Sequence, residues 1–183
     1  MATQTAPTIA GTETKLEDFF VTMLQEIYWC ETHLVNVLDS MEQAATSLKL
    51  KQAFTKHKEE TAKQIERLEQ AFQLINMDVY AERSAGLQGI FDEGWQVIDE
   101  TEEGSAQRDV ALIIAAQKIE HYEMACYGSL VTLAKTMGKN DVADILAQTL
   151  NEEKKTDAAL TKIAEANINQ KASKEKIGKD QEN

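Results

Sequence analysis

The chain has 183 residues, of which 43% are apolar and 27% are charged, the balance expected of a single globular domain. Its net charge of −12 disfavours a nucleic-acid-binding surface, because acidic side chains repel phosphate. We expect neither a signal or transit peptide nor a membrane span, since no apolar run approaches the roughly 20 residues that a span needs. Cys30 and Cys126 form no CxxC motif or disulfide framework, which favours a cytoplasmic protein with reduced thiols.

Two long stretches, residues 12–85 and 139–177, contain neither glycine nor proline, and this predicts long helices. No segment alternates apolar and polar residues in the way that a half-buried strand does, so we predict no sheet. Thr14 followed by Glu17 is a capping box that predicts the start of the first helix. The short polar segment 44–47 then predicts a tight turn into a second, antiparallel helix.

The second half of the chain predicts another helical hairpin, after a connection that carries a shorter helix within residues 79–104. Ser105 is expected to cap the next long helix, Gly138 to end it, and the last helix begins near Asn140. Two antiparallel hairpins joined by a long crossover predict an all-α, ferritin-like four-helix bundle with a fifth, shorter helix. The expected organisation is a flexible N-terminal tail, the bundle and a disordered C-terminal tail, over residues 1–13, 14–168 and 169–183.

Carboxylates interrupt the apolar stripes of the four long helices. Glu31, for example, lies four residues after Ile27 and three before Leu34, which places it on the core face of its helix. The inward-facing candidates, taken helix by helix, are Glu31, then Glu60, then Glu120 and Glu123, and finally Glu153 with Asp157 one turn further on.

The heights of these residues along the bundle also agree. Glu31 and Glu60 have their midpoint inside the first predicted turn, and Glu123 and Glu153 have theirs at Gly138. Each antiparallel hairpin therefore sets one carboxylate opposite another. The two hairpins align as a weak internal repeat that places Glu31 on Glu123, and this predicts a pseudo-twofold site at the centre of the bundle.

Carboxylates packed together in an apolar core would suffer desolvation and mutual repulsion. They can protonate, pair with basic residues or coordinate cations, and Lys63 and Lys118, at about the same height, face outward. Coordination relieves both costs together, so we predict two bound metal ions. Hard oxygen donors with few imidazoles favour iron or manganese, with magnesium as an alternative, over zinc or copper.

Polar and aromatic residues beside the carboxylates are further candidates, either as ligands or as hydrogen-bond partners of ligands. This group contains His57, Gln64 and Tyr28, and His57 is expected to support Glu60. The alternative is a satisfied polar position in the core or at its rim for His57, and simple packing for Tyr28. The two cysteines are expected to behave as small buried apolar residues.

Four segments of the chain, IYWCETHL, FTKHKEETAKQIERLEQAF, RDVALIIAAQKIEHYEMACYGSL and LNEEKKTD, resemble the YciE/YciF-like stress proteins. The resemblance extends from Leu16 to about Ala166. It implies a ferritin-like bundle related in architecture to rubrerythrins and manganese catalases. It also implies a role in bacterial stress responses and assembly as a homodimer.

The same resemblance implies a set of metal ligands in this chain, namely Glu31, Glu60, Glu120 or Glu123, and Glu153, with Asp157 as an additional ligand. Di-iron bundles commonly carry a Glu-x-x-His motif on two helices, but Lys63 and Thr156 stand where those histidines would be. Gln64 and Asp157, one residue later, are the nearest substitutes. The implied ligand set is therefore almost entirely carboxylate.

Three functions are compatible with these patterns. The first is a di-metal protein that handles iron, oxygen or peroxide under stress, and whose activity would be that of an oxidoreductase. The second is a non-catalytic, dimeric scaffold with a structural metal site. The third is a bundle whose carboxylates are protonated and bind no metal.

Overall fold

The protein folds into four long helices with a shorter helix in the crossover, as the sequence predicts. The computed structural model describes residues 9–177, and no strand occurs within them. The helices are α1 (Lys15–Ala44), α2 (Leu48–Leu74), α3 (Ala85–Glu100), α4 (Ala106–Thr136) and α5 (Asn140–Ile163), followed by a π-helical turn (Ala164–Ile168) and the short α6 (Asn169–Ala172). Within this range no helix is both long enough and apolar enough to cross a membrane.

Local signals in the sequence set the helix ends. Thr14 and Glu17 form the predicted capping box at the start of α1, in which each side chain accepts a backbone N–H of the other residue. The hydroxyl oxygens of Ser84 and Ser105 cap α3 and α4 by accepting the N–H groups of Leu87 and Arg108. Gly138 has a φ of +72°, a conformation that suits glycine, and it lets the chain reverse between α4 and α5 as predicted.

Polar contacts at the two ends of the bundle show how its helices run. The α1–α2 hairpin packs against the α4–α5 hairpin, with α2 on α5 and α1 on α4. At one end, the carboxylate of Asp109 in α4 accepts hydrogen bonds from the N–H groups of Thr46 and Ser47, at 2.6 and 2.8 Å. At the other end, Lys139 pairs with Glu17 at 3.2 Å. α4 therefore runs antiparallel to α1, and the crossover that carries α3 returns along the length of the bundle.

Asp109 is a buried residue that ties the two hairpins together. We expect Asp109→Ala to lower the free energy of unfolding by about 1–3 kcal/mol, because two backbone N–H groups before α2 lose their acceptor. Urea unfolding followed by circular dichroism measures this loss. Asp39→Ala removes a surface carboxylate paired with Lys58 and should cost clearly less, because solvent screens an exposed ion pair. Equal losses in the two variants would contradict the role of Asp109.

Apolar layers close the bundle on both sides of Glu31. Leu24 and Ile27 lie buried toward one end of α1, and Leu34 and Leu38 lie buried toward the other. Since water is excluded from both layers, any charge at the level of Glu31 lies in a medium of low polarity.

The structure describes residues 9–13 of the N-terminal tail that was predicted over residues 1–13. Residues 1–8 lie outside the described part of the chain. The N–H of Ile9 donates to the carboxylate of Asp18 at 2.5 Å, and the hydroxyl of Thr12 donates to the same carboxylate. Residues 9–13 therefore fold against the start of α1, because Ile9 adds apolar contact to the core.

The C-terminal boundary predicted at residue 168 is too early. Ile168 is buried, and the helix continues through the π-helical turn to Ala172. The carboxylate of Glu175 accepts hydrogen bonds from the N–H groups of Ala106 and Gln107 at 2.6 and 2.8 Å, which caps the start of α4. The polar composition of this segment favoured disorder in the sequence analysis. In the structure it packs through the buried side chain of Ile168 and through the hydrogen bonds of Glu175. The remaining residues of the predicted tail, 178–183, lie outside the described range.

Candidate metal centre

Four glutamates from three helices meet at the middle of the bundle, and all four are 0% exposed. They are Glu31 of α1, Glu120 and Glu123 of α4, and Glu153 of α5. His57 of α2 is also buried and completes the group. Ligand atoms of His57, Glu120, Glu123 and Glu153 all lie within 4.8 Å of one another. This separation allows the four side chains to surround one cation.

The imidazole of His57 lies between the carboxylates of α4 and α5. Its Nδ1 is 3.2 Å from Oε1 of Glu120, and its Nε2 is 3.6 Å from Oε2 of Glu153. His57 Nε2, Glu120 Oε1 and Glu153 Oε2 nevertheless have no hydrogen-bond partner. The ring is therefore close to both carboxylates without being locked to either of these oxygens.

A neighbouring side chain holds one oxygen of each of three carboxylates. In every case the donor reaches Oε1, and the bond crosses from one helix to another. The pairs are Tyr127 hydroxyl with Glu31 at 2.5 Å, Cys30 thiol with Glu123 at 3.2 Å, and Gln64 amide with Glu153 at 2.5 Å. Each donor fixes the rotation of its carboxyl group, which is how residues behind a metal site orient its ligands.

The other oxygens of these carboxylates have no partner. Oε2 of Glu31, Glu123 and Glu153 and both oxygens of Glu120 are buried without a hydrogen bond. Across the described residues, eight buried side-chain atoms lack a partner, and they belong only to these glutamates and to three residues of α2: His57, Thr61 and Gln64. Buried polar atoms are normally hydrogen-bonded, so eight unpartnered atoms at one place indicate a binding site for another group.

Burial raises the pKa of Glu31, Glu120 and Glu123 well above the usual range of a carboxyl group, and the charges of neighbouring carboxylates raise it further. The charge of Arg67 lowers the pKa of Glu31 only in part, because Arg67 forms a bidentate pair with Glu152 at 2.6 and 2.8 Å. The centre therefore disfavours four negative charges without a counter-ion, and it presents free oxygen atoms. A cation fits both properties, and this cluster can hold a metal ion.

Four of the glutamates predicted from the sequence come together here, and both members of the alternative Glu120 or Glu123 belong to the cluster. Glu60 does not. It lies about 80° around α2 from the middle of the buried stripe. Its side chain is 22% exposed and pairs with Lys56 at 2.6 Å. The prediction that Glu60 faces inward is wrong. Its position along the bundle was predicted correctly, but the rotation of α2 about its own axis turns the side chain of Glu60 away from the core.

Asp157 and Tyr28 also lie away from the cluster. Asp157 is half-buried, and its Oδ1 accepts a hydrogen bond from the amide of Gln117 at 2.9 Å. The hydroxyl of Tyr28 donates to Glu69 at 3.1 Å, and its ring packs edge-on against Phe72. Tyr28 thus takes the packing role that was its alternative.

Residues of α2 that sequence reasoning undervalued occupy the place predicted for Glu60. His57, Thr61 and Gln64 continue the stripe of Leu50 and Phe54 at spacings of three and four. His57 and Gln64 were predicted as candidates beside the carboxylates, and the same spacing, applied to polar residues of every type, would have added Thr61. No local signal identifies the pairing of Tyr127 with Glu31, because it joins residues 96 positions apart.

Known proteins share this fold over most of the chain. Residues 15–173 match a family described as a domain of unknown function, DUF892. Protein YciF of Escherichia coli strain K12 is 42% identical over 158 residues, which cover 86% of this chain and 95% of YciF. The crystal structure of the E. coli stress protein YciF superposes with a TM-score of 0.82 at 41% identity, covering 87% of this chain and 100% of that one.

A second solved structure shows the same relationship. YcfI of Rhodopseudomonas palustris superposes with a TM-score of 0.79 at 33% identity, covering 84% of this chain and 97% of that one. The segments that carried the resemblance in the sequence therefore belong to a match that extends over the whole bundle. The chain is a member of the DUF892 family, the YciF-like stress proteins, and has their ferritin-like helical-bundle fold.

Proposed function

We propose that the protein binds two divalent metal ions, iron or manganese, at the buried glutamate centre and uses them to handle iron, oxygen or peroxide under stress. The observation that carries this proposal is the set of eight buried atoms without partners, all at one centre. The charges are also complementary. Four ionised glutamates carry a charge of −4, which two divalent cations would balance.

The chain's own residues have separable tasks in this proposal. His57 and the free oxygens of the glutamates would hold the ions, while Tyr127, Cys30 and Gln64 orient three of the carboxylates. The apolar layers on both sides keep bulk water out. Bound iron or manganese would supply Lewis-acid and redox chemistry towards oxygen or peroxide. Predominantly oxygen donors favour these ions over zinc or copper.

Metal content tests the proposal directly. Protein purified without chelators is expected to contain close to two metal ions per chain by elemental analysis. Glu120→Gln and Glu153→Gln should each lower this content to a small fraction of that of the wild type, because each removes an anionic oxygen donor. Glu60→Gln is the matched control, since it makes the same chemical change outside the cluster, and its content should not change. Ligand variants that retain their metal would contradict the proposal.

Peroxide consumption and ferrous oxidation by the loaded protein separate a catalytic role from a structural one. Activity with iron or manganese that is lost in Glu120→Gln supports handling of peroxide or iron. Full metal content without either activity would instead favour the non-catalytic, metal-stabilised scaffold.

We also propose that the protein is a cytoplasmic homodimer. A groove between α1 and α4 supports the dimer, because Phe19 is 57% exposed there beside Met23 and Leu133. The two free cysteines accord with a reducing compartment. Sedimentation equilibrium of the wild type and of Phe19→Glu tests the dimer, and a monomeric wild type would contradict it.

A further inference from the structure

Thr61 is a fully buried threonine whose hydroxyl has no hydrogen-bond partner. Threonines in helices usually satisfy this group by bonding to the carbonyl four residues earlier. In this protein Thr22, Thr55 and Thr132 do so, at 2.9–3.0 Å. The hydroxyl of Thr61 does not form that bond, although the side chain is fully buried. Its position four residues after His57 places it on the face of α2 that contacts the glutamate centre.

Gln64 leaves a second orphan group on the same face. Its amide nitrogen donates to Oε1 of Glu153 at 2.5 Å and to Oε2 of Glu152 at 3.2 Å. Because both partners are carboxylates, which accept hydrogen bonds, the orientation of the amide is fixed. The amide oxygen is then left buried and without a donor.

The wall formed by α2 thus differs in charge from the rest of the centre. α1, α4 and α5 contribute the four buried glutamates, whereas the buried polar residues of α2 at this level are His57, Thr61 and Gln64. Anionic walls hold cations. A wall without a buried carboxylate that offers one hydroxyl donor and one amide acceptor suits instead a small polar molecule.

We infer that Thr61 and Gln64 form the binding position of a small oxygen- or nitrogen-donor ligand of the metal ions, such as water, hydroxide or peroxide. This inference rests on the proposed metal centre. The Thr61 hydroxyl donates a hydrogen bond to the ligand. The Gln64 amide oxygen accepts one when the ligand carries a proton. The ionised carboxylates of the other three walls can only accept hydrogen bonds, so α2 is the side that donates one to the ligand.

Azide titration of the iron-loaded protein, followed by absorbance, tests the role of Thr61. Thr61→Val keeps the shape of the side chain and removes the hydroxyl, so it should weaken azide binding about tenfold, the loss of one hydrogen bond to an anion. Thr61→Ser retains the hydroxyl and should bind azide within about threefold of the wild type. Thr55→Val is the matched control on the same helix, because its hydroxyl bonds to Lys51. Its azide affinity should not change.

The possible failures are distinguishable. Normal iron content in Thr61→Val with unchanged azide affinity overturns this inference and leaves the metal centre standing. A wild type that binds no iron overturns the proposed function itself. The metal-free protein gives an independent readout: Thr61→Val should raise its melting temperature by a few degrees, because an unpartnered buried hydroxyl is replaced by a methyl group. A lower melting temperature would show that the hydroxyl is satisfied in the folded protein, and the inference would be wrong.

Discussion

The metal-free protein should melt at a higher temperature at pH 5.5 than at pH 8. Glu31, Glu120 and Glu123 have pKa values well above the usual range because they are buried near one another. The folded state therefore binds their protons more tightly than the unfolded chain does. This contribution to stability is complete below the unfolded pKa, about 4.3, and is lost as the pH rises through the raised folded values.

Metal ions should remove this pH dependence, because they balance the charge that protons balance in the metal-free protein. At a free metal concentration a thousand times the dissociation constant, binding stabilises the folded state by about 4 kcal/mol. Thermal melts between pH 5.5 and 8, with EDTA and with manganese, measure both effects. Glu60→Gln should keep the slope of the wild type in EDTA, and Glu123→Gln should reduce it. A metal-free protein whose melting temperature rises steadily over this range would contradict the proposed charge distribution.

Replacing Glu123 by methionine should stabilise the metal-free protein at pH 8 and abolish its stabilisation by metal. The side chains are similar in size, and apolar replacement of buried charges has stabilised proteins by about 1–4 kcal/mol. Glu123 suits this experiment because its one hydrogen-bond donor is the thiol of Cys30, a weak donor that tolerates the loss. Urea unfolding with and without manganese measures both changes.

Glu31→Met is the informative comparison for this experiment. It also removes a buried carboxylate, but it leaves the hydroxyl of Tyr127 without its acceptor. The gain in stability should therefore be smaller than in Glu123→Met. If Glu123→Met destabilises the metal-free protein instead, the carboxylate of Glu123 contributes to folding and not only to binding. Together the two variants measure how much the buried carboxyl groups lower the free energy of unfolding of the metal-free protein.

Most of the fold could be predicted because its determinants are local. The capping box of Thr14 and Glu17 and the reversal at Gly138 depend on a few adjacent residues, and the structure has both. The glutamates on α1, α4 and α5 could be predicted for a similar reason. Strong apolar neighbours at spacings of three and four show which way Glu31 faces, whatever the rest of the protein does.

α2 is the helix on which this reasoning failed. The buried positions of α2 between Phe54 and Leu68 are all polar, so no buried apolar residue marks the core face at the height of Glu60. Glu60 and His57 differ by three positions, and both lie within a turn of the right height. The choice between them depends on a small rotation of the helix, which packing against α1 and α5 decides. A local partner, Lys56, then holds Glu60 at the surface.

The sequence by itself determined that carboxylates would gather in the middle of a helical bundle, because helical periodicity is a property of each segment. Only the tertiary structure decided which atoms there are partnered and which are free. Gln64 reaches Glu153 across 89 residues, and Tyr127 reaches Glu31 across 96. Such bonds depend on how four helices rotate against one another, and no single segment encodes that rotation. The free hydroxyl of Thr61 and the lack of a buried carboxylate on α2 follow from the same packing.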